Sequence, residues 1–224
     1  MLLTSAYFPP VEYFAVMAKG MTLSADRVIP SVVHIEACEH YQKQSYRNRC
    51  KFYAENGVQT LSVPVVHQSG TYELPITEIK VDYSTPWIVR SERAIEAAYW
   101  SSPFFEYYRD ELFAIMDSET ETLFDLNLKL IRFFLEKLHL PVEIRFTETF
   151  EPKGSLTYGE DLRDAIHPKR PNSILQGLGL DKPYYQVFAQ KHGFIPNLSI
   201  LDLLFNEGPD SISHLHRQAD DLKK

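Results

Sequence analysis

Short apolar runs typical of β-strands fill much of the first third of the chain and return once at about two-thirds of its length. Strands are predicted over residues 2–7, SVVHIEA (31–37), LPITEIKVD (74–82) and PVEIRFTET (141–149). The stretch CKFYAENGVQTLSVPVV predicts two strands joined across Asn56-Gly57, a dipeptide that tolerates the positive φ angles of a tight hairpin. VEYFAVMAKG predicts a short helix that ends at Gly20.

Apolar residues spaced by three and four dominate the remaining chain and predict α-helices. These helices cover PWIVRSERAIEAAYW, PFFEYYRDELFAIM, TLFDLNLKLIRFFLEKL, KPYYQVFAQKHGF (ending at Gly193) and NLSILDLLFNEG (capped by Asn197). Residues 151–182 are rich in Gly and Pro and predict loops, with at most a short helix at DLRDAI.

Strands come first and helices later, without regular βα alternation, which favours an α+β fold over a doubly wound sheet. We expect a mixed or partly open β-sheet with several helices packed mainly on one side. The length suits a single domain over residues 1–210, followed by a polar tail, 211–224, that is expected to fray.

Composition narrows the range of partners. Asp and Glu total 30 against 23 Lys and Arg, a net charge of -7, which argues against surface-wide binding of nucleic acid.

The chain lacks an 18-residue apolar window and a basic region before Pro9-Pro10, so neither a membrane span nor a signal peptide is predicted. Cys38 and Cys50 lack CxxC spacing, which favours a reduced pair in a cytoplasmic protein over a zinc site.

A cluster of cations stands out between two predicted strands, in HYQKQSYRNR at 40–49, which we call the basic segment. Its candidate ligand-binding residues are Tyr41, Lys43, Arg47, Asn48 and Arg49. Guanidinium and ammonium groups that converge could hold a phosphate or carboxylate, while Asn48 and Tyr41 supply neutral hydrogen bonds. The alternative is a solvated connection whose cations pair with Glu36 and Glu39.

Candidate acid-base groups lie in two places. His34 shares a strand face with Glu36, an arrangement compatible with proton transfer, with a metal ligand pair or with an ordinary sheet. A second group lies in SLTYGEDLRDAIHPKR and contains Asp161, Arg163, His167 and Lys169. It could supply a base and ligand contacts, or form a surface network of ion pairs.

The predicted C-terminal helix carries a carboxylate, Asp202, among leucines, with Asn206 one turn later. Burial of an unpaired carboxylate costs several kcal/mol, so Asp202 needs a partner, and we expect a cation of the basic segment. Asp202 and Asn206 would then support the site. No GxGxxG, P-loop, GxSxG or HExxH pattern occurs.

The stretches YFPPVEYF, HIEACEHYQKQSYRNRC, LSVPV, SPFFEYY, DLRDAIHPK, YYQVF and PNLSILDLLFNEGP together resemble the WbqC-like family of bacterial proteins, in the form common among Bacteroidetes-type bacteria. The resemblance runs from about residue 5 to about residue 210. Some relatives are encoded in polysaccharide gene clusters. This implies acyl or aminoacyl transfer onto an activated amino sugar in surface polysaccharide biosynthesis.

We therefore expect an enzyme that binds an anionic small molecule such as a nucleotide sugar, with His167 or His34 as proton acceptor and Asp161 assisting. The alternative is a non-catalytic binding or scaffold protein that recognises an anionic carbohydrate-linked ligand. The sequence assigns no cofactor, no metal and no oligomeric state.

Overall fold

The computed structural model describes residues 1–24, 27–67, 70–155, 157–171 and 173–216. The strands are β1 (Leu2–Thr4), β2 (Thr22–Ser24), β3 (Arg27–Ile29), β4 (Ser31–Glu36), β5 (Arg49–Ala54), β6 (Gly57–Ser62) and β7 (Val142–Phe146). The helices are α1 (Val11–Lys19), α2 (Trp87–Tyr99), α3 (Phe105–Asp117), α4 (Leu123–Lys137), α5 (Ile174–Leu178), α6 (Ala189–His192) and α7 (Ile200–Glu207). The predicted α+β class is confirmed, with both parallel and antiparallel strand pairs.

Strands β1, β4 and β7 form a parallel three-stranded sheet, in the order β1-β4-β7. Its register places Leu3 beside Ile35 and Val33 beside Ile144. Leu3, Val33 and Ile35 are fully buried, which accounts for the apolar character of SVVHIEA. Because the strands are parallel, their carboxyl ends meet at one edge of the sheet.

The hairpin predicted at Asn56-Gly57 is confirmed. Strands β5 and β6 pair antiparallel, and Ala54 lies opposite Gly57. Gly57 adopts φ +95°, a conformation that glycine reaches without the steric cost that Cβ imposes on other residues. A second hairpin, β2–β3, was not predicted.

The three long central helices are also confirmed, as α2, α3 and α4. Helix α4 begins after Thr122, whose hydroxyl accepts a hydrogen bond from the Asp125 backbone N–H at 3.1 Å. Leu126, Leu130 and Phe134 follow one another along its buried face.

The strand predicted at LPITEIKVD is wrong. A 3-10 helix, Ile76–Glu78, occupies its centre. Ile76 and Ile79 are both buried, a spacing of three that suits this helix and would place them on opposite faces of a strand. Pro75, which lacks a backbone donor, further disfavours strand pairing.

The helices predicted after residue 151 form only in part. Of KPYYQVFAQKHGF, only Ala189–His192 is helical, and a short helix forms at Ile174–Leu178 rather than at DLRDAI. The Asp161 carboxylate accepts a hydrogen bond from the Arg163 backbone N–H at 3.2 Å, a local turn that competes with helix formation.

Helix α7 begins two residues later than Asn197 would place it. The Ser199 hydroxyl accepts from the Leu201 N–H, while the Asn197 side chain accepts from the Glu12 N–H in the first turn of α1. A 3-10 helix, Gly208–His214, follows α7, and Leu215 is buried. The remainder of the predicted tail, 217–224, lies outside the described residues.

None of the helices in the described chain is long and apolar enough to cross a membrane.

Candidate functional site

A cavity of about 510 Å³ lies beyond the carboxyl ends of β4 and β7, and we call it the edge cavity. It is lined by Cys38, Glu39, His40, Tyr41, Gln42, Arg47, Tyr72, Phe150, Lys153, Asp161, Arg163 and Asp164. Cys38–Gln42 follow the end of β4, and Phe150 and Lys153 follow the end of β7. Crevices at the carboxyl edge of parallel strands are frequent ligand sites.

A buried ion pair forms one part of the wall. The Arg47 guanidinium donates from Nε to Glu39 Oε1 at 2.8 Å and from Nη2 to Oε2 at 2.5 Å. The two side chains are only 3% and 5% exposed. Burial raises the pKa of the Glu39 carboxyl, and the adjacent Arg47 charge partly offsets that rise. Asn127 of α4 donates to the Arg47 carbonyl at 2.8 Å and fixes the backbone here.

A second buried cluster is centred on Arg163. Its guanidinium donates to Asp161 from Nε at 2.9 Å and Nη2 at 2.7 Å, and to Glu36 Oε2 from Nη1 at 2.9 Å. The hydrogen bonds from Arg163 hold the pKa of the Asp161 carboxyl below its usual value. Glu36 also accepts from the Thr147 hydroxyl and from the Glu151 N–H at 3.0 Å. The carboxylate at the end of β4 thus fixes the loop that leaves β7.

The charges that line the cavity balance. Glu39, Asp161 and Asp164 carry three carboxylates, against the guanidinium groups of Arg47 and Arg163 and the ammonium group of Lys153. Desolvating the four most buried charges of the two clusters, which are those of Glu36, Glu39, Arg47 and Arg163, is costly, and apolar residues would usually stabilise a core as well or better. Strongly desolvated charges in a cleft are typical of functional sites.

Aromatic rings form the outer part of the lining. The rings of Tyr41 and Tyr72 stack at 6.1 Å with a 10° interplanar angle. Phe150 is 53% exposed, and the Arg163 guanidinium carbon lies 5.6 Å from its ring centroid. Such rings offer flat apolar faces beside the buried charges, a combination suited to a polar ligand with a ring.

The cations of the basic segment do not all line the edge cavity. Arg47 does, whereas Lys43 is exposed, with its Nζ 5.0 Å from the Tyr72 ring centroid. Arg49 lies at the start of β5, and its Nε has no partner within the described residues. Residues 43–48 form turns, and of the three cations only Arg47 lines the cavity. The predicted pairing with Glu39 occurs for Arg47, but it is buried rather than solvated. Asn48 donates to the Val63 carbonyl at 3.1 Å.

Only half of the second predicted group, which comprises Asp161, Arg163, His167 and Lys169, lines the edge cavity. Asp161 and Arg163 line it, but His167 and Lys169 do not. His167 Nδ1 accepts from the Lys169 N–H at 3.2 Å, and Lys169 Nζ donates to Gln44 at 3.0 Å, so this loop touches the basic segment. Desolvation, with a smaller effect of the Arg47 charge, lowers the pKa of His167.

His34 also lies outside the lining, within β4 and opposite Arg145 of β7. Its ring contacts the Tyr158 ring at 4.4 Å between centroids. Desolvation, followed by the nearby N-terminal amino group, lowers the pKa of His34. The catalytic roles predicted for His34 and His167 stay predictions.

Asp202 finds different partners from those expected. Its Oδ2 accepts from the Tyr184 hydroxyl and from Gln186 Nε2, both at 2.7 Å, and not from a cation of the basic segment. Burial raises the pKa of Asp202 to about 6. Asn206 donates from Nδ2 to the Asp202 carbonyl at 2.7 Å. Asp202 therefore anchors α7 to Tyr184 and Gln186, whereas the Asn206 bond lies within α7, and neither residue lines the edge cavity.

Several cavity residues were not singled out from the sequence. Glu39 was considered only as a partner for solvated cations, although its position just before the basic segment was a usable signal. Tyr72 and Phe150 come from separate loops, and nothing in their local sequence indicates a shared site. Within the described part of the chain, no group of three or more His, Cys, Asp or Glu side chains is arranged to hold a metal ion.

Comparison with known proteins supports the resemblance seen in the sequence. The model of the WbqC-like protein family matches residues 4–170 and 172–214. An uncharacterized protein of Mycobacterium tuberculosis, Rv1507c, is 26% identical over 194 residues, which cover 78% of this chain and 83% of that protein. No solved structure gives a significant match. Because the family model covers nearly the whole chain, the protein belongs to the WbqC-like protein family.

Proposed function

We propose that the edge cavity binds a sugar-linked amine and that the protein transfers an acyl or aminoacyl group to that amine. The observation that carries this proposal is the set of buried, opposed charges beside exposed aromatic rings. Carboxylate oxygens accept hydrogen bonds from hydroxyl or ammonium groups, and guanidinium groups donate to carbonyl or phosphate oxygens. A volume of about 510 Å³ suits a small molecule of this type.

The proposed ligand can also carry a phosphate. Two exposed cations lie near the rings, Lys43 beside Tyr72 and Lys153 in the lining itself. Lys153 pairs with Asp164 at 2.5 Å, an exposed contact that a phosphate could replace at low cost. The role in surface polysaccharide biosynthesis rests on the family resemblance and not on the geometry.

Glu39 is the proton acceptor in this proposal. The amine nitrogen attacks the carbonyl carbon of the donor, the bond to the leaving group breaks, and the amine proton passes to a carboxylate. Burial raises the pKa of Glu39, which makes its carboxylate a stronger base than an ordinary one, and Arg47 orients it. Asp161 is a weaker candidate, because its pKa is lowered.

One observation favours a second candidate function, a non-catalytic binding protein. In the described residues, Arg47 and Arg163 each make two hydrogen bonds to a single carboxylate. Such saturated pairs can hold a rigid, preorganised binding surface without taking part in chemistry.

Turnover separates the two functions. The protein would be incubated with UDP-glucosamine, with acetyl-coenzyme A or activated glycine as donor, and the products read by mass spectrometry. An acylated sugar product that requires the protein supports the transferase. Ligand-induced thermal stabilisation without product supports the binding protein, and neither effect across a panel of nucleotide amino sugars contradicts both.

A further inference from the structure

Strand β7 forms an uncovered edge of the parallel sheet. The Ser31 N–H donates to the Pro141 carbonyl at 3.1 Å, and the Thr147 N–H donates to the Ile35 carbonyl at 3.2 Å. Because backbone groups alternate along a strand, Val142, Ile144 and Phe146 direct their N–H and C=O groups away from β4. No partner for these groups occurs among residues 1–24, 27–67, 70–155, 157–171 and 173–216.

The opposite edge of the sheet is already covered. The Leu2 N–H donates to the Glu160 carbonyl at 2.8 Å, and the Leu162 N–H donates to the Leu2 carbonyl at 3.0 Å. The chain therefore protects the β1 edge with its own backbone and leaves the β7 edge available. An unpaired edge of this kind is a template for pairing with another strand.

The side chains of β7 are complementary to a second copy of the same strand. In an antiparallel pair centred on Ile144, Val142 lies opposite Phe146 of the other copy, and Glu143 lies opposite its Arg145. Aromatic residues opposite β-branched ones, and opposite charges across a pair, are both favourable cross-strand combinations. Ile144 and Ile144 of the second copy would form a hydrogen-bonded pair. Each Glu143 and the Arg145 opposite it would then form one of the adjacent non-hydrogen-bonded pairs, in which side chains are closer.

These side chains are accessible for such contacts. Phe146 is 40% exposed, and the Glu143 and Arg145 side chains are 50% and 55% exposed. Within one chain, Arg145 Nε lies 2.7 Å from Glu143 Oε1, so these two side chains form an ion pair along the strand. Edges protected against association usually carry charges that repel a second copy, such as lysines. The opposite signs at 143 and 145 attract one instead.

We propose that the protein forms a homodimer through antiparallel pairing of β7 with β7 of a second copy. The interface is isologous, as two-fold symmetric dimers require, and the sheet continues through both copies. Because the two β7 strands run in opposite directions, the two edge cavities lie at opposite ends of the continuous sheet. Each cavity keeps its own complete lining.

Charge reversal tests the pairing directly. Light scattering after size exclusion should give twice the chain mass of 26.0 kDa for the wild type. Glu143→Arg places an arginine opposite Arg145 in both symmetric pairs, so this variant should have the monomer mass. Arg145→Glu places a second carboxylate opposite Glu143 in both pairs and should also have the monomer mass. The double variant E143R/R145E restores opposite charges and should restore the dimer mass.

Lys80→Glu is the matched control, since Lys80 is also an exposed member of a surface ion pair, with Glu121, and should leave the dimer intact. Circular dichroism would establish that each variant is folded. A monomeric wild type at micromolar to millimolar concentration would overturn the proposal. So would a dimer that persists in both single charge reversals, or a double variant that stays monomeric.

Discussion

Replacement of Asp202 by Asn tests how the protein tolerates a buried carboxylate in α7. Asp202 is 1% exposed and accepts two hydrogen bonds at Oδ2, from Tyr184 and Gln186. An asparagine oxygen can accept the same two bonds. The amide nitrogen then takes the place of Oδ1, which has no hydrogen-bond partner in the described structure, and this costs about 1 kcal/mol at every pH.

The pH dependence separates that fixed cost from the cost of ionisation. The pKa of Asp202 is raised from 3.8 to about 6, so the folded state holds this proton more tightly than the unfolded state does. Its stabilising contribution is therefore fully present below about pH 4 and is lost as the pH rises towards the folded pKa. At 1.36 kcal/mol per unit, about two units correspond to about 3 kcal/mol.

Urea unfolding of wild type and Asp202→Asn should be measured from about pH 4 to about pH 8. The stability of the variant relative to wild type should increase by about 2 to 3 kcal/mol across this range, with most of the change complete by about pH 6. Titrations of the other groups are common to both proteins and cancel in the difference. A difference that stays constant with pH would refute the raised pKa and the burial argument behind it.

Three further substitutions have defined outcomes. Arg47→Met should lower the free energy of unfolding by about 3 to 5 kcal/mol, because Glu39 loses its buried partner; a loss under about 1 kcal/mol would contradict a desolvated pair. Gly208→Ala should cost more than about 2 kcal/mol by urea unfolding, since φ is +52° and a Cβ would lie 2.5 Å from the Phe104 ring; an unchanged midpoint would contradict this packing. Phe150→Ala should change stability by less than about 1 kcal/mol but weaken ligand binding about tenfold in calorimetric titration; equal affinity would exclude this ring from the site.

Local sequence signals predicted the elements that depend on neighbours in the chain. Asn56-Gly57 specifies the β5–β6 hairpin through its backbone conformation, and the apolar spacing after Thr122 specifies α4. A strand was wrongly predicted at LPITEIKVD because its apolar spacing fits both an alternating strand and a 3-10 turn. The observed conformation also depends on contacts with residues 121–123, which are distant in sequence.

The candidate site depends on contacts that no local pattern reveals. Arg163 reaches Glu36 across 127 residues of sequence, and Arg47 turns back to Glu39. Both arginines were predicted from the sequence as candidate ligand-binding residues. Their buried ion pairs with carboxylates could not be predicted, because the geometry of those pairs depends on the fold. Likewise, the need of Asp202 for a partner followed from its apolar helix, whereas the identity of Tyr184 as that partner did not.

The balance of charge in the edge cavity changes the expected ligand. A surplus of cations would favour a purely anionic molecule, whereas three carboxylates and three cations in the lining favour one with both hydrogen-bond donors and acceptors. An amino sugar linked to a phosphate has both. This is the physical basis for preferring a sugar-linked amine over a simple anion.

Calorimetric titration with UDP-glucosamine, and with UDP and glucosamine as separate probes, measures whether the edge cavity binds a sugar-linked amine. Wild type and Tyr107→Ala, which alters an 80% exposed tyrosine outside the lining, should bind UDP-glucosamine with equal affinity. Phe150→Ala should bind about tenfold more weakly. Absence of binding to the wild type, or equal affinity of all three proteins, would contradict a sugar-binding role for the edge cavity.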